Sequence, residues 1–386
     1  MALPAALSGS WNPFRVTGTP MPPNLLLMCK LLVVAILGTG HIRLLPEPFL
    51  PFIDGLDQLT DPDVFRIALQ AVAVMSALAL LLNRCVRASA LVLGSCFLVA
   101  VVSSKAYYGN NKSFCGLALL LAGLSDFDRP PYLLRWQLSL VYFGAALNKL
   151  LDPDWQSGLF FHYWAGAKLQ NPIYLFVAEL LPPLLAGKIM CWGTILAEFA
   201  ASLGLLAPRL APYALWANIL FQVGLLEFTG TTFTLFFYGM QAVTLAFVTW
   251  PDRLLVVYDG ARHSCHLFRS WNQRLDPDGI QDWQPFPAAG SIPGDPSREK
   301  LAEGLHLIVR EKTYAGFAAI RRLLLYSPVF WMLATTLLAV APAGAAWWRR
   351  VLVAAVLVFF LPVFEPIGNW VYHRLTGVRP QAVPES

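Results

Sequence analysis

Long apolar runs separated by short polar turns fill most of the first 250 positions. They fall at about Asn24–Gly40, Asp63–Leu82, Ala88–Ser104, Ser113–Leu124, Tyr132–Leu150, Leu184–Leu206, Ala211–Phe228 and Thr232–Thr249. A helix needs roughly 17–25 such residues to cross a bilayer core. The pattern predicts eight spanning or near-spanning helices, the fourth short enough to be tilted, partly buried or re-entrant. Two more runs, Val329–Ala341 and Val351–Trp370, predict a C-terminal helical hairpin.

The texture changes after residue 252. Leu254–Tyr258 is a short branched apolar run followed by Asp259-Gly260, which predicts a buried strand entering a turn. His263–Leu275 has a helical pattern, Asp276–Pro296 reads as a Pro- and Gly-rich loop, and Leu305–Val309 reads as a second strand. Gly316–Leu325 reads as a helix. The predicted organisation is a tail (1–23), a transmembrane bundle (24–250), a small α/β unit (252–328) and C-terminal hydrophobic helices (329–375).

Composition agrees with a lipid-facing chain. It is 57% hydrophobic and 13% charged, against roughly 25% charged in soluble domains. The net charge of +5 is spread over short loops, a membrane-topology pattern rather than a nucleic-acid footprint. The Met1–Pro23 segment lacks the charged start and short apolar core of a signal peptide. Arg84, Arg87, Arg129, Arg135, Arg209 and Arg253 fall in loops of one side, which predicts a cytoplasmic N-terminus and a cytoplasmic α/β unit. The six cysteines form no CxxC, and neither they nor the six histidines have metal-ligand spacing.

Polar groups inside apolar runs are the candidate chemistry. Asn148 and Lys149 end the fifth run, Glu198 sits within the sixth, and Asn218 and Gln222 share a face of the seventh. Lys30 lies in the first. A charge left in lipid costs about 2.5–3.5 kcal/mol on insertion scales, so these groups should turn inward and pair. Two readings stand side by side. Lys149, Glu198 and Gln222 line an internal polar cavity, or they are helix–helix contacts at roughly 0.6 kcal/mol each, with Lys149 reaching the interface. The segment Asp152–Pro183, with Phe160, Phe161, His162, Tyr163, Trp164 and Tyr174, reads as interfacial or as a cap over the bundle.

The run Val141-Tyr-Phe-Gly-Ala-Ala-Leu-Asn-Lys149-Leu, followed by Trp155-Gln-Ser-Gly158, resembles the signature of the HTTM family, which includes the vitamin K-dependent gamma-carboxylases. Pro46–Phe52, Tyr107–Asn111, Leu196–Phe199 and Phe221–Phe228 extend the resemblance over about residues 20–250. It implies a lysine base acting on a hydroquinone cofactor from the lumenal side. Asn148, Trp155, His162, Asn218 and Gln222 are the candidate cavity or ligand-binding residues around it. The carboxylases carry two adjacent lysines here. Lys149 matches the first, and Leu150 stands in place of the second, which is the one assigned the base role. The large extramembrane propeptide-binding domain is missing too.

Tyr258-Asp-Gly-Ala-Arg262-His-Ser-Cys265, with the later Tyr314-Ala-Gly-Phe-Ala-Ala, resembles the DCC-type thiol-disulfide oxidoreductase-like family, whose fold is thioredoxin-like. Arg262 replaces that family's attacking cysteine and only Cys265 remains. A depressed thiol pKa beside Arg262 and a helix N-terminus would suit mixed-disulfide chemistry. Three functions follow as expectations. One is an enzyme using a lipophilic or quinone-type cofactor, with Lys149 as base and Glu198 as its partner. The second is a membrane scaffold or maturation factor for a client protein. The third is a thiol redox partner acting through Cys265.

Overall fold

Helix α1 (Pro23–Gly38) opens with a proline in its first turn, where the missing N–H breaks no bond. It is apolar on every side and almost wholly buried from Asn24 to Ile36, the mark of a helix surrounded by other helices. The structure, a computed structural model, describes residues 11–47, 49–52, 61–182, 184–229, 234–286, 304–310, 312–340 and 365–376. The bundle continues with α2 (Pro62–Leu81), α3 (Val86–Ser103), α4 (Asn110–Leu124), α5 (Tyr132–Leu151), the short α6 (Pro153–Ser157), α7 (Pro172–Leu180), α8 (Leu185–Leu206), α9 (Ala211–Thr229) and α10 (Thr234–Val243), of which α2, α4 and α10 pack on α1.

Small residues set the closest approach, as they do where helices pack in lipid. A Cβ on Gly94 of α3 would fall 2.6 Å from the Gly116 carbonyl oxygen of α4. Among the described residues, α2, α3 and α8 are long and apolar enough to cross a membrane. The eight-span expectation is thus met only in part. Helices α1, α4 and α10 have 16, 15 and 10 residues, below the usual crossing length. Arg135, Gln137, Asn148 and Lys149 dilute the hydropathy of α5.

The molecule has two ends. Asn24 Nδ2 donates to the Leu245 carbonyl (3.0 Å) and Arg135 Nε to the Ala246 carbonyl (3.1 Å). The starts of α1 and α5 therefore lie beside the segment that leads into the α/β unit. Lys149, 14 residues after Arg135, is about 21 Å further along α5. The N-terminal tail lies at the first end. Lys30, wholly buried, donates to the Pro13 and Arg15 carbonyls at 2.5 and 2.7 Å. Asp278 Oδ1 accepts from Val16 N, Thr17 N and Thr17 Oγ1, tying the tail to the α/β unit.

The α/β unit is a four-stranded mixed sheet in the order β2-β1-β3-β4. It comprises β1 (Leu254–Asp259), α11 (His263–Arg274), β2 (Gln281–Phe286), β3 (His306–Val309), β4 (Lys312–Ala315) and α12 (Gly316–Leu325). Strands β1 and β2 are parallel, and β1/β3 and β3/β4 are antiparallel. Strand β2 corrects the expected 276–296 loop. Its sequence hides it, because only Trp283 is buried and Pro285 suits an edge position. Strand β4, almost all exposed, is the other edge.

The C-terminal expectation changes as well. Helix α13 (Pro328–Val340) packs on α1, where a Cβ on Gly38 would meet that of Ala339 at 2.7 Å. It is bent 72° from α12, and the two together could form one broken span. Residues 351–364 of the second run lie outside the described residues. Glu365–Thr376 forms α14, which packs on α12 of the α/β unit through an Arg321–Glu365 ion pair at 2.8 Å.

Candidate functional site

The sequence Asp152-Pro153-Asp154-Trp155 folds as a helix start. Asp152 Oδ1 accepts the Asp154 N–H at 2.9 Å, with Pro153 in the first turn. This cap ends α5 at Leu151 and turns α6 back, so that Trp155 comes under the side chain emerging two positions earlier from α5. Lys149 Nζ lies 5.1 Å from the centre of the Trp155 ring, within cation–π range. Gly158 closes α6 at φ 89°, and a Cβ there would lie 2.4 Å from Lys188 N of α8. Both the φ and the close approach demand glycine. The motif Trp-x-x-Gly is thus a platform followed by a docking point.

Lys149 Nζ donates to both oxygens of Glu198, each at 2.8 Å. The Ala145 carbonyl lies 3.4 Å from the same nitrogen. The Glu198 side chain is 7% exposed and that of Lys149 20%. Glu198 reaches the pair because α8 carries Cys191, Ile195, Glu198 and Ser202 along one buried face. Charge-assisted bonds of this kind are strong, and at this burial they offset a large desolvation cost.

Aromatic rings surround the platform. Phe160 stacks on Trp155 at 4.2 Å and on Trp164 at 5.7 Å, and Phe161 meets Trp155 edge-on at 5.6 Å. They belong to a small core with Tyr174, Cys191 and Ile195. A π-helical turn, His162–Lys168, follows. Such turns often occur at functional sites.

Two helical turns before Lys149, on the same face of α5, Tyr142 begins a second polar layer. Its hydroxyl donates to Asn218 Oδ1 and accepts from Gln222 Nε2 at 2.6 Å. Asn218 and Gln222 are almost wholly buried, and Asn218 Nδ2 and Gln222 Oε1 have no partner among the described residues. A turn deeper, Ser139 Oγ donates to the Ser202 carbonyl at 2.5 Å. The polar groups thus form a ladder between α5, α8 and α9.

The expected residues divide clearly. Lys149, Glu198 and Trp155 come together. Asn218 and Gln222 converge on Tyr142 one layer away. Asn148 is exposed and points off the pair, as its one-residue offset on a helix dictates. His162 is also exposed, and its Nδ1 lies 3.2 Å from the Tyr174 hydroxyl rather than at the pair. Tyr142 carries no mark of its own in the apolar run; its position seven residues before Lys149, on the same helix face, is the one signal the sequence offers.

Cys265 is in the α/β unit and is buried. Burial pushes its thiol pKa up, which corrects the expected depression. The Arg262 guanidinium is drawn onto Asp259 at 2.8 Å. Among the described residues no cluster of His, Cys, Asp or Glu could hold a metal. A surface groove of about 700 Å³ lies between Ile42–Glu47 and α2 and does not include the pair.

No family model matches the chain, and neither the curated proteins nor the solved structures contain a match to it.

Proposed function

We propose that this chain is a membrane protein whose helical bundle binds a lipophilic, ring-bearing ligand of quinone or hydroquinone type at Lys149 and Glu198. The observation that carries the reading is the Lys149 ammonium, shared between the Glu198 carboxylate at 2.8 Å and the face of Trp155. A charge inside an apolar helix needs a partner in lipid, and here the partner is itself a proton-accepting carboxylate. The aromatic cluster beside the pair, in which Phe160 and Trp164 are half-buried, is the kind of lining against which a planar ring would pack.

The ion pair assigns the roles. An ammonium has no lone pair with which to accept a proton, so Glu198 is the base of the resting pair. A ligand hydroxyl entering beside it gives its proton to a Glu198 oxygen. The ligand oxygen, now negative, stays against the Lys149 ammonium. The proton ends on the carboxylate and the charge is conserved, with Lys149 stabilising the oxyanion. This arrangement needs only one lysine, in keeping with Leu150 standing at the next position.

The HTTM-like reading of the bundle rests on the same element. The DCC-like reading of the α/β unit is supported by its strand order, with β1 and β2 parallel and the β3–β4 hairpin antiparallel beside them, a thioredoxin-like arrangement. A cytoplasmic tail and α/β unit are supported by their shared position at the arginine-rich end, where Arg84 lies over Trp11 and Arg135 meets Ala246.

A second reading is a non-catalytic scaffold for a client protein, in which the pair simply bolts α5 to α8. The Ser139–Ser202 contact between the same helices favours it. Lipid extraction and mass spectrometry of the purified protein separate the two. The ligand reading predicts a ring-bearing lipid that co-purifies with the native chain and not with the Lys149→Met, Glu198→Leu double variant. Equal lipid content in both, with the fold intact, leaves the scaffold. The thiol redox reading has the burial of Cys265 against it.

A further inference from the structure

Helix α14 is amphipathic the wrong way round for a helix on a soluble domain. Its polar side faces the α/β unit. Glu365 pairs with Arg321, Asn369 Oδ1 accepts the Phe317 N–H at 3.2 Å, and the Tyr372 hydroxyl accepts the Leu305 N–H at 3.0 Å. Its apolar side faces outward: Ile367 is 58% exposed, Trp370 61%, Val371 41% and Leu375 81%. These four lie at the i, i+3, i+4 and i+8 spacing of one helix face. A helix on a water-soluble domain turns that face to the core, and a contiguous apolar patch left outside marks an interaction surface.

We propose that the outward face of α14 lies in the lipid–water interface and holds the α/β unit against the bilayer. Three observations select lipid as the occupant. The sequence Val351–Phe364 contains no charged residue and leads directly into Glu365, so α14 follows an apolar run. The Arg374 guanidinium lies 5.6 Å over the Trp370 ring, joining the two residue types that anchor at headgroup level. The α/β unit also sits at the arginine-rich end of the bundle, where Arg84 and Arg135 are placed. That end suits an anionic leaflet. The hydrogen bonds on the inner face then fix the sheet's orientation relative to the membrane.

Site-directed spin labelling of the full chain tests this. The background is Cys85→Ser, because Cys85 is the exposed cysteine and Cys29, Cys96, Cys115, Cys191 and Cys265 are buried. Nitroxides go on Ile367→Cys, Val371→Cys and Leu375→Cys, with Gln273→Cys on exposed α11 as the water-facing control. The protein is placed in nanodiscs of phosphatidylcholine and phosphatidylglycerol. Collisions with oxygen and with a water-soluble nickel chelate are measured at each label. The expected result is oxygen broadening with loss of nickel broadening on α14, and the reverse at Gln273→Cys. Nickel broadening on α14 equal to that at the control overturns the proposal. Immobile spectra reached by neither reagent overturn it too, and assign the face to a protein contact.

Discussion

Two helical lysines, Lys30 wholly buried and Lys149 partly so, are partnered by opposite means. Lys30, in the middle of α1, gives its protons to two backbone carbonyls of the N-terminal tail. Lys149, near the end of α5, gives its protons to a carboxylate and lies over an indole ring. The first arrangement fixes a strap. Carbonyls cannot take a proton near neutral pH, so the groups that Lys30 donates to are not bases. The second sets an acid and a base 2.8 Å apart, partly open on the lysine side. The lesson is that a buried charge alone does not mark a site; the chemistry of its partner does.

The largest expected effect comes from breaking the Lys149 pair on one side. Glu198→Ala leaves an ammonium with no counter-charge and should destabilise the protein by about 3 kcal/mol, at the low end for buried pairs because Lys149 is partly exposed. Thermal unfolding in detergent reads this. If Glu198→Ala melts like the native protein, the pair is solvated and the contrast with Lys30 fails.

Lys30→Met comes next. It removes the Lys30 donor from the Pro13 carbonyl and one of the two donors from the Arg15 carbonyl, a loss of about 2 kcal/mol. It should also free the tail, so that a protease cutting after Arg15 acts faster. A tail that stays protected would mean that Asn83 and Asp278 hold it without Lys30; Asn83 Nδ2 also donates to the Arg15 carbonyl. Lipid binding at Lys149 should be unaffected.

Sequence alone reached much of this. The apolar runs, the α/β unit after residue 252 and the pairing partners Lys149 and Glu198 were legible because each is written in one local pattern. The Trp155-x-x-Gly158 spacing was legible for the same reason. What was not legible depends on neighbours distant in the chain. Strand β2 buries a single residue and reads as loop until β1 pairs with it. The partners of Lys30 lie 15 and 17 positions away in a tail with no regular pattern. Helix α14 continues an apolar run, so the sequence assigned it to the membrane hairpin, and only its polar contacts place it on α12. Among the described residues fewer helices are long and apolar enough to span than there are apolar runs, because such runs fill the protein's interior as well as its surface; α1 is the example.

Smaller effects sharpen the contrast. Tyr142→Phe removes the hydroxyl that links Asn218 to Gln222 and should cost about 1 kcal/mol, without loss of the Lys149–Glu198 pair. A larger effect on ligand content than on stability would join the second polar layer to the site. At the other end of the molecule, the raised pKa of Cys265 keeps its thiol protonated at neutral pH. N-ethylmaleimide should therefore modify exposed Cys85 well before Cys265, and the Cys265 rate should rise as pH increases. Equal rates at neutral pH would restore the redox reading.

The central claim is that Lys149 and Glu198 form a ligand site rather than a bolt between helices. Its most direct test is equilibrium binding of a lipid-soluble naphthoquinone, in the reduced form, to the native chain and to the Lys149→Met, Glu198→Leu double variant in nanodiscs. Replacing both charges by apolar groups of similar size should leave stability nearly unchanged. The account predicts saturable binding to the native chain and its loss in a double variant that melts at the same temperature. Saturable binding of equal strength to both proteins, or none to the native chain, would contradict it.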